Sequence, residues 1–330
     1  MTIKFDNVYV KETSTVAGKF ESEGPLSKTF DKTYSDFYMG EDSFEKGEIK
    51  MILDSVNILL DKASLSKEDI DLFISGDLIN QITPSSYAAE KLGINYMGVY
   101  AACATSTLSM IIASSMLQNK EINNCICSVS SNNSAAEKQY RNPTEYGAPK
   151  PRSATFTATG AASIYLTREK TDIRVECATL GKIIDYGEND PNNMGRVMAP
   201  AAIDTLRKHF EETRRTPDYY DLIVTGDLGR YGKEIVKDYM ATRYDFDLSK
   251  NYNDCGVMLY DLERQKEVLA GGSGPVCSAL VNYGYIYDEM KKKKLKKVLL
   301  VATGALFSPT LLYQKQNINS IAHAISLEVV

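Results

Sequence analysis

The chain is poor in the residues that build metal centres. Its 330 residues include only two histidines, His209 and His323. The six cysteines, at 103, 125, 127, 177, 255 and 277, show no paired metal-type spacing. Neither a metal site nor a cofactor is expected. A basic surplus is also lacking: the net charge is −5, so no global field recruits nucleic acid. No apolar run approaches the roughly 20 residues that span a bilayer. The opening residues, MTIKFDNVYV, alternate like a strand and lack the basic-then-apolar build of a signal peptide. Membrane association would therefore be peripheral, through a partner or a surface patch.

What remains is an ordinary globular composition, 43% hydrophobic and 25% charged, long enough for one large or two medium domains. Cys125 and Cys127 flank Ile126 in an apolar strand, which points both thiols to one face and implies core packing. A reduced compartment fits this cysteine usage.

The chain says the same thing twice. Residues 70–78 (IDLFISGDL) recur as 220–228 (YDLIVTGDL), an offset of 150 that carries Asp77 onto Asp227. Each copy follows a polar helix-like stretch and reads as a short buried strand ending in a tight turn. After the first copy come a strand near Tyr96–Tyr100, small residues 101–106, a helix near Leu108–Leu117 and a strand near Cys125–Ser130. After the second come an apolar segment near Cys255–Tyr260, read as a strand, the glycine turn 271–274, a helix near Ser278–Met290 and a strand near Val298–Thr303. Two βαβ-rich halves, 1–171 and 172–330, are expected, with a seam near Lys170–Asp172. Strands this apolar suit sheets covered on both faces, so the halves should stack as α/β/α/β/α layers. Residues 142–151, with three prolines and a glycine, read as a long loop.

A duplicated half with a cysteine in a small-residue turn at a helix start resembles the thiolase and ketoacyl synthase superfamily. There the cysteine takes an acyl group from a thioester, and Cys103 in ACATS matches its position. A helix N-terminus lowers a thiol pKa and favours anions; a buried structural cysteine is the alternative. The condensing enzymes of this layout place a histidine and an asparagine after the first strand of the second half and in the glycine turn. This chain has DLIVTGDLGR at 221–230 and GGSG at 271–274. The thiolase His-Pro pair is missing from the glycine-rich region as well. The donors and base that condensation needs are thus not where the pattern puts them.

A second resemblance is longer. The segments FDKTY (30–34), GDLINQ (76–81), YAACATS (100–106), RNPTEYG (141–147), MAPAA (198–202), DCG (254–256), GGSG (271–274), ATGALFSPT (302–310) and IAH (321–323) resemble the stage V sporulation protein AD family of spore-forming bacteria. That resemblance implies a thiolase-like protein that binds dipicolinic acid (pyridine-2,6-dicarboxylate), free or as its calcium complex. It implies work with the other SpoVA proteins in moving the ligand into the forespore, and in its release at germination. A peripheral place at the inner spore membrane follows, and the superfamily implies a homodimer formed near Cys125–Ser130. Asn132-Asn133 stands where a His-Asn pair is more familiar, which would alter pocket polarity.

On this reading Cys103, Thr105 and Ser106 offer hydroxyls and helix-start amides to a carboxylate. Ser273 and Gly274 offer a second set, unless the glycine turn is only a tight connection. His323, in the last strand-like run, would hydrogen-bond a carboxylate, more strongly if protonated, unless it is a satisfied core histidine. Asp77, Asp227 and Asp254 are expected to fix turns or cap helices, with a calcium ligand as the sharper alternative. The lysines of 291–297 end a helix, either as a solvated terminus or as a contact for anionic lipid. The rival function is an acyl-CoA-dependent acyltransferase or condensing enzyme that uses Cys103.

Overall fold

The computed structural model describes residues 1–141 and 150–330. Most of the proline-rich stretch 142–151 therefore lies outside the described residues. In the first half the strands are β1 (Thr2–Lys4), β2 (Tyr9–Ala17), β3 (Lys32–Thr33), β4 (Leu72–Gly76), β5 (Tyr96–Gly98), β6 (Asn124–Ser131), β7 (Phe156–Thr157) and β8 (Gly160–Thr167). Its helices are α1 (Lys19–Ser22), α2 (Phe44–Ala63), α3 (Thr83–Leu92), α4 (Thr105–Met116) and α5 (Asn133–Arg141). The second half carries β9 (Ile173–Thr179), β10 (Leu222–Thr225), β11 (Tyr252–Asp254), β12 (Gly272–Ser273), β13 (Lys297–Leu306) and β14 (Asn319–Val329). With them run α6 (Met194–Thr213), α7 (Gly229–Tyr244), α8 (Cys255–Met258), α9 (Pro275–Leu280), α10 (Tyr287–Lys291) and α11 (Pro309–Tyr313).

The repeat extends well beyond the strand that reveals it. Helices α2 and α6 are both 20 residues long and begin 150 positions apart. Ser43 caps the first by accepting from the Lys46 amide, and Asn193 caps the second by accepting from the Arg196 amide. Both helices stop at a left-handed residue, Ser64 (φ 55°) and Arg214 (φ 56°). Each then makes a 3₁₀ turn, Lys67–Asp69 or Pro217–Tyr219, and enters β4 or β10.

Strand order repeats in mirror sense. The first half runs β2-β8-β6-β4-β5 and the second β9-β14-β13-β10-β11. The two rows meet where β2 and β9 pair antiparallel, Tyr9 opposite Arg174 and Val10 opposite Ile173. Residues on both faces of each row are apolar, so both faces are covered. Phe73 and Ile126 face outward onto Ile52, Val56 and Leu59 of α2. Ile74, Cys125 and Cys127 face inward, into a core shared with Met110 of α4, Leu280 of α9 and Leu300 of β13. The outer face of the second row packs on Met198 and Leu206 of α6 and Val236 of α7. The result is the layered α/β/α/β/α arrangement expected from the sequence, with α4 and α9 between the sheets.

Three local expectations need correction. The apolar segment Cys255–Tyr260 is not a strand: β11 ends at Asp254, whose carboxylate accepts from the Gly256 amide at 3.0 Å and starts α8. A short apolar run does not distinguish a buried strand from a buried helix; the cap decides it. The long helix near Ser278–Met290 is broken by a π-helical turn, Val281–Ile286, in which Thr13 of β2 donates to the Tyr283 carbonyl at 2.6 Å. Finally, β6 is flanked by β4 and β8, so Cys125–Ser130 offers no free edge to a second chain. In that half the open edge belongs to β5.

Candidate ligand pocket

Cys103 is presented by a strained turn. Ala102 adopts a left-handed conformation (φ 48°) that side chains rarely take. Thr105 holds the turn shut: its hydroxyl donates to the Ala102 carbonyl at 2.6 Å and accepts from the Ala101 amide at 3.0 Å. Gly304 of β13 lets the turn approach, since a Cβ there would stand 2.4 Å from the Ala101 carbonyl oxygen. The thiol therefore lies at the positive end of the 12-residue α4.

The repeat puts an acid under it. Asp227, fully buried, accepts from Thr303 Oγ1 at 2.7 Å, Ser273 Oγ at 3.0 Å and the Gly274 amide at 3.1 Å. Ser273 Oγ is 3.8 Å from Cys103 Sγ, and so links the thiol to the Asp227 carboxylate. Burial, and after it the Asp227 charge, hold the thiol well above the ordinary cysteine range. A nucleophilic thiolate needs the opposite environment. Asp77, the counterpart in the first half, accepts from the Ile79 and Ser85 amides. Asp254 accepts from Thr225 Oγ1 and from the Leu228, Gly229 and Gly256 amides. All three aspartates fix turns, and no cluster of three or more acidic, cysteine or histidine side chains among the described residues is arranged to hold a metal.

Cys103 and Ser273 open into a cleft of about 100 Å³. Tyr100, Tyr140 and Phe307 give it aromatic walls, with the Tyr140 and Phe307 rings 5.7 Å apart. Met194 and Met198 add apolar surface, while Thr155, Thr157 and Glu137 are polar. Glu137 is paired with Lys150 at 2.9 Å. No arginine, lysine, histidine or asparagine is among these described lining residues.

The other candidates lie elsewhere. Thr105 is spent on the turn, and Ser106 Oγ meets Ser278 Oγ at 2.7 Å where α4 packs on α9. The Gly274 amide is committed to Asp227 and Pro275 has no N–H, so the second helix start does not offer the expected donors. His323 stands in the middle of β14 opposite Ala302, 5% exposed, and is not among the cleft residues. Its Nδ1 accepts from the Gly181 amide at 3.2 Å, and burial lowers its pKa to about 4. Of the two alternatives for His323, ligand contact or satisfied core histidine, the structure has the second. His209 is likewise buried, between Thr179 and Tyr220. Asn132 caps α5, and Asn133 lines a separate cavity rather than the cleft. In the lysine run, Lys291 pairs with Glu12, and Lys292 and Lys294 with Glu289, as a solvated helix end does. Sequence reasoning missed the aromatic wall because Tyr100, Tyr140 and Phe307 come from three unrelated segments with no shared spacing.

Two mirrored halves with a cysteine at the tip of a central helix define a thiolase-like protein. Solved structures agree on that fold: 3-oxoacyl-[acyl-carrier-protein] synthase III from Aquifex aeolicus superposes with a TM-score of 0.59 at 13% identity, covering 97% of this chain and 99% of that one. A variant of OleA from Xanthomonas campestris superposes with a TM-score of 0.62 at 15% identity, covering 99% of each chain. The chain belongs to the stage V sporulation protein AD family, whose model matches residues 1–328. Stage V sporulation protein AD of Bacillus subtilis (strain 168) is 42% identical over 321 residues, 97% of this chain and 94% of that protein. No helix among the described residues is long and apolar enough to cross a membrane.

Proposed function

We propose that this protein binds dipicolinic acid non-covalently in the Cys103 cleft, for its uptake into the forespore and its release at germination, and does no acyl chemistry. The observation that carries the reading is the burial of the Cys103 thiol beside Asp227, to which Ser273 links it, which holds the thiol pKa up where the fold's enzymes need it lowered. The cleft suits one flat ring better than a long acyl chain: it is small and walled by Tyr100, Tyr140 and Phe307. The α4 terminus favours an anion, but no cationic side chain is among the described cleft-lining residues to neutralise two carboxylates. The calcium chelate, whose charge is offset, fits that balance best. Partnership with other SpoVA proteins and peripheral attachment to the inner spore membrane belong to the same proposal. A homodimer would form through the β5 edge.

Titration calorimetry with dipicolinate, with and without calcium, tests the reading. One saturable site per chain, tighter with calcium, is expected. Incubation with acyl-CoA followed by mass spectrometry tests the rival: a stoichiometric acyl adduct on Cys103 with release of free CoA would replace binding by catalysis.

A further inference from the structure

Behind the cleft lies a second, smaller cavity of about 30 Å³. Strand β7 divides the two: Thr157 faces the cleft and its neighbour Phe156 the small cavity. Among its lining residues is Glu21, fully buried. One oxygen is satisfied, since Oε1 accepts from Tyr260 Oη and from the Thr159 amide. The other, Oε2, is buried without a hydrogen-bond partner. A buried carboxylate oxygen without a partner is costly.

The walls indicate which occupant would supply that partner. Phe20, Phe37 and Phe156 surround the opening: the Phe20 ring is 6.1 Å from Phe37 and 5.2 Å from Phe156. Aromatic rings lining a cavity together with a buried carboxyl are elements that can hold an ammonium group. The rim already shows the affinity, because Lys19 Nζ sits 5.1 Å from the Phe37 centroid. Calcium would need six or more oxygens, and Glu21 supplies the one buried carboxyl here.

We propose that this cavity is a second ligand site, separate from the cleft, that takes a small primary ammonium group, with Glu21 as counterion and Phe20, Phe37 and Phe156 as its aromatic wall. Burial raises the Glu21 pKa to about 7, so the site gains its charge as pH rises through neutrality. The other charged groups facing it are Lys19 and Asp36 at the mouth and Glu23 on the same turn, with Tyr260 behind.

Methylammonium chloride, titrated into the full chain and followed by calorimetry at pH 6 and pH 8, is the test. Saturable binding that tightens at pH 8 is expected. Glu21→Gln keeps an acceptor for Tyr260 and Thr159 but loses the charge, and should bind about ten-fold more weakly. Phe37→Ala, at a ring 46% exposed and outside the core, should weaken binding roughly two- to five-fold with an unchanged melting temperature. No saturable binding at tens of millimolar, which would leave water as the occupant, overturns the proposal. So does a folded Glu21→Gln chain that binds as wild type, or displacement of methylammonium by equimolar calcium. Dipicolinate is absent throughout, so the outcome is independent of the cleft.

Discussion

Asp227 stands where Asp77 stands in the other half, 150 residues earlier at the end of the equivalent strand, yet only Asp227 is linked to the cysteine, through Ser273. Asp77 spends its oxygens on the amides of Ile79 and Ser85, within its own half. Asp227 reaches across to Ser273 and Thr303, and Ser273 meets the thiol of the first half. A repeated residue has thus acquired a different function from the packing of the two copies.

Replacing Asp227 by Asn removes the charge that opposes ionisation of Cys103. Alkylation of Cys103 by iodoacetamide at pH 8, followed by peptide mass spectrometry, should speed up by about ten-fold if the thiol pKa falls by about one unit. The amide also loses an acceptor position against Ser273 and Gly274, at a cost of about 1–3 kcal/mol in stability. An unchanged alkylation rate in a folded variant would mean that burial alone controls the thiol.

His323→Ala should leave dipicolinate affinity as it is and lower stability. The Gly181 amide loses its acceptor, worth about 1–3 kcal/mol when buried, and the side chain leaves a void in the sheet. Both quantities can be measured on one preparation, by chemical denaturation and by calorimetry. Weakened binding at full stability would return His323 to the site.

Phe307→Ala should weaken dipicolinate binding about five- to ten-fold, because a ring set at a tilt beside Tyr140 is lost from the cleft wall. Phe307 is only partly buried, so the melting temperature should hardly move. Equal affinity in the variant would place the ligand elsewhere.

Stability should fall between pH 5.5 and pH 7.5. Burial raises the pKa of Glu21 and Asp254 to about 7 and of Asp77 to about 6, so these groups favour the folded state when protonated. Their contribution is complete below the unfolded values and is lost as pH rises through the folded ones. His209 and His323 act in the other direction, with folded values of about 3 and 4, but their contribution is complete once pH exceeds about 6.5. Glu21→Gln should flatten the decline in melting temperature; an equally steep decline would remove Glu21 as its source.

Attachment to the spore membrane should be reversed by high salt or alkali without detergent, since no described helix can cross a bilayer. Persistence of attachment through both washes, with release only by detergent, would refute a peripheral mode. Loss of attachment in cells lacking the other SpoVA proteins would identify protein partners as the anchor.

Much of the fold was legible in the residues themselves. The 150-residue echo around Asp71 and Asp221 marked the duplication, and the apolar runs around Phe73 and Ile126 required cover on both faces. The cysteine turn and its family likeness were carried by contiguous motifs, which need no tertiary information to be read. Local backbone demands are written locally: a cap at Ser43 or Asn193, or a hydroxyl at Thr105.

What the chain could not disclose is which side chains meet. Asp227 reads as a turn aspartate like Asp77, and becomes linked to Cys103 only because α4 and the glycine turn are packed against one another between the sheets. His323 reads as a ligand because it is rare, and is neutral because β13 and β9 enclose it. Tyr140 and Phe307 share a wall although 167 positions separate them in the chain, 307 − 140. Periodicity and caps act over a few residues, whereas burial, and with it charge state and pocket shape, is set by contacts between segments that sequence distance does not order.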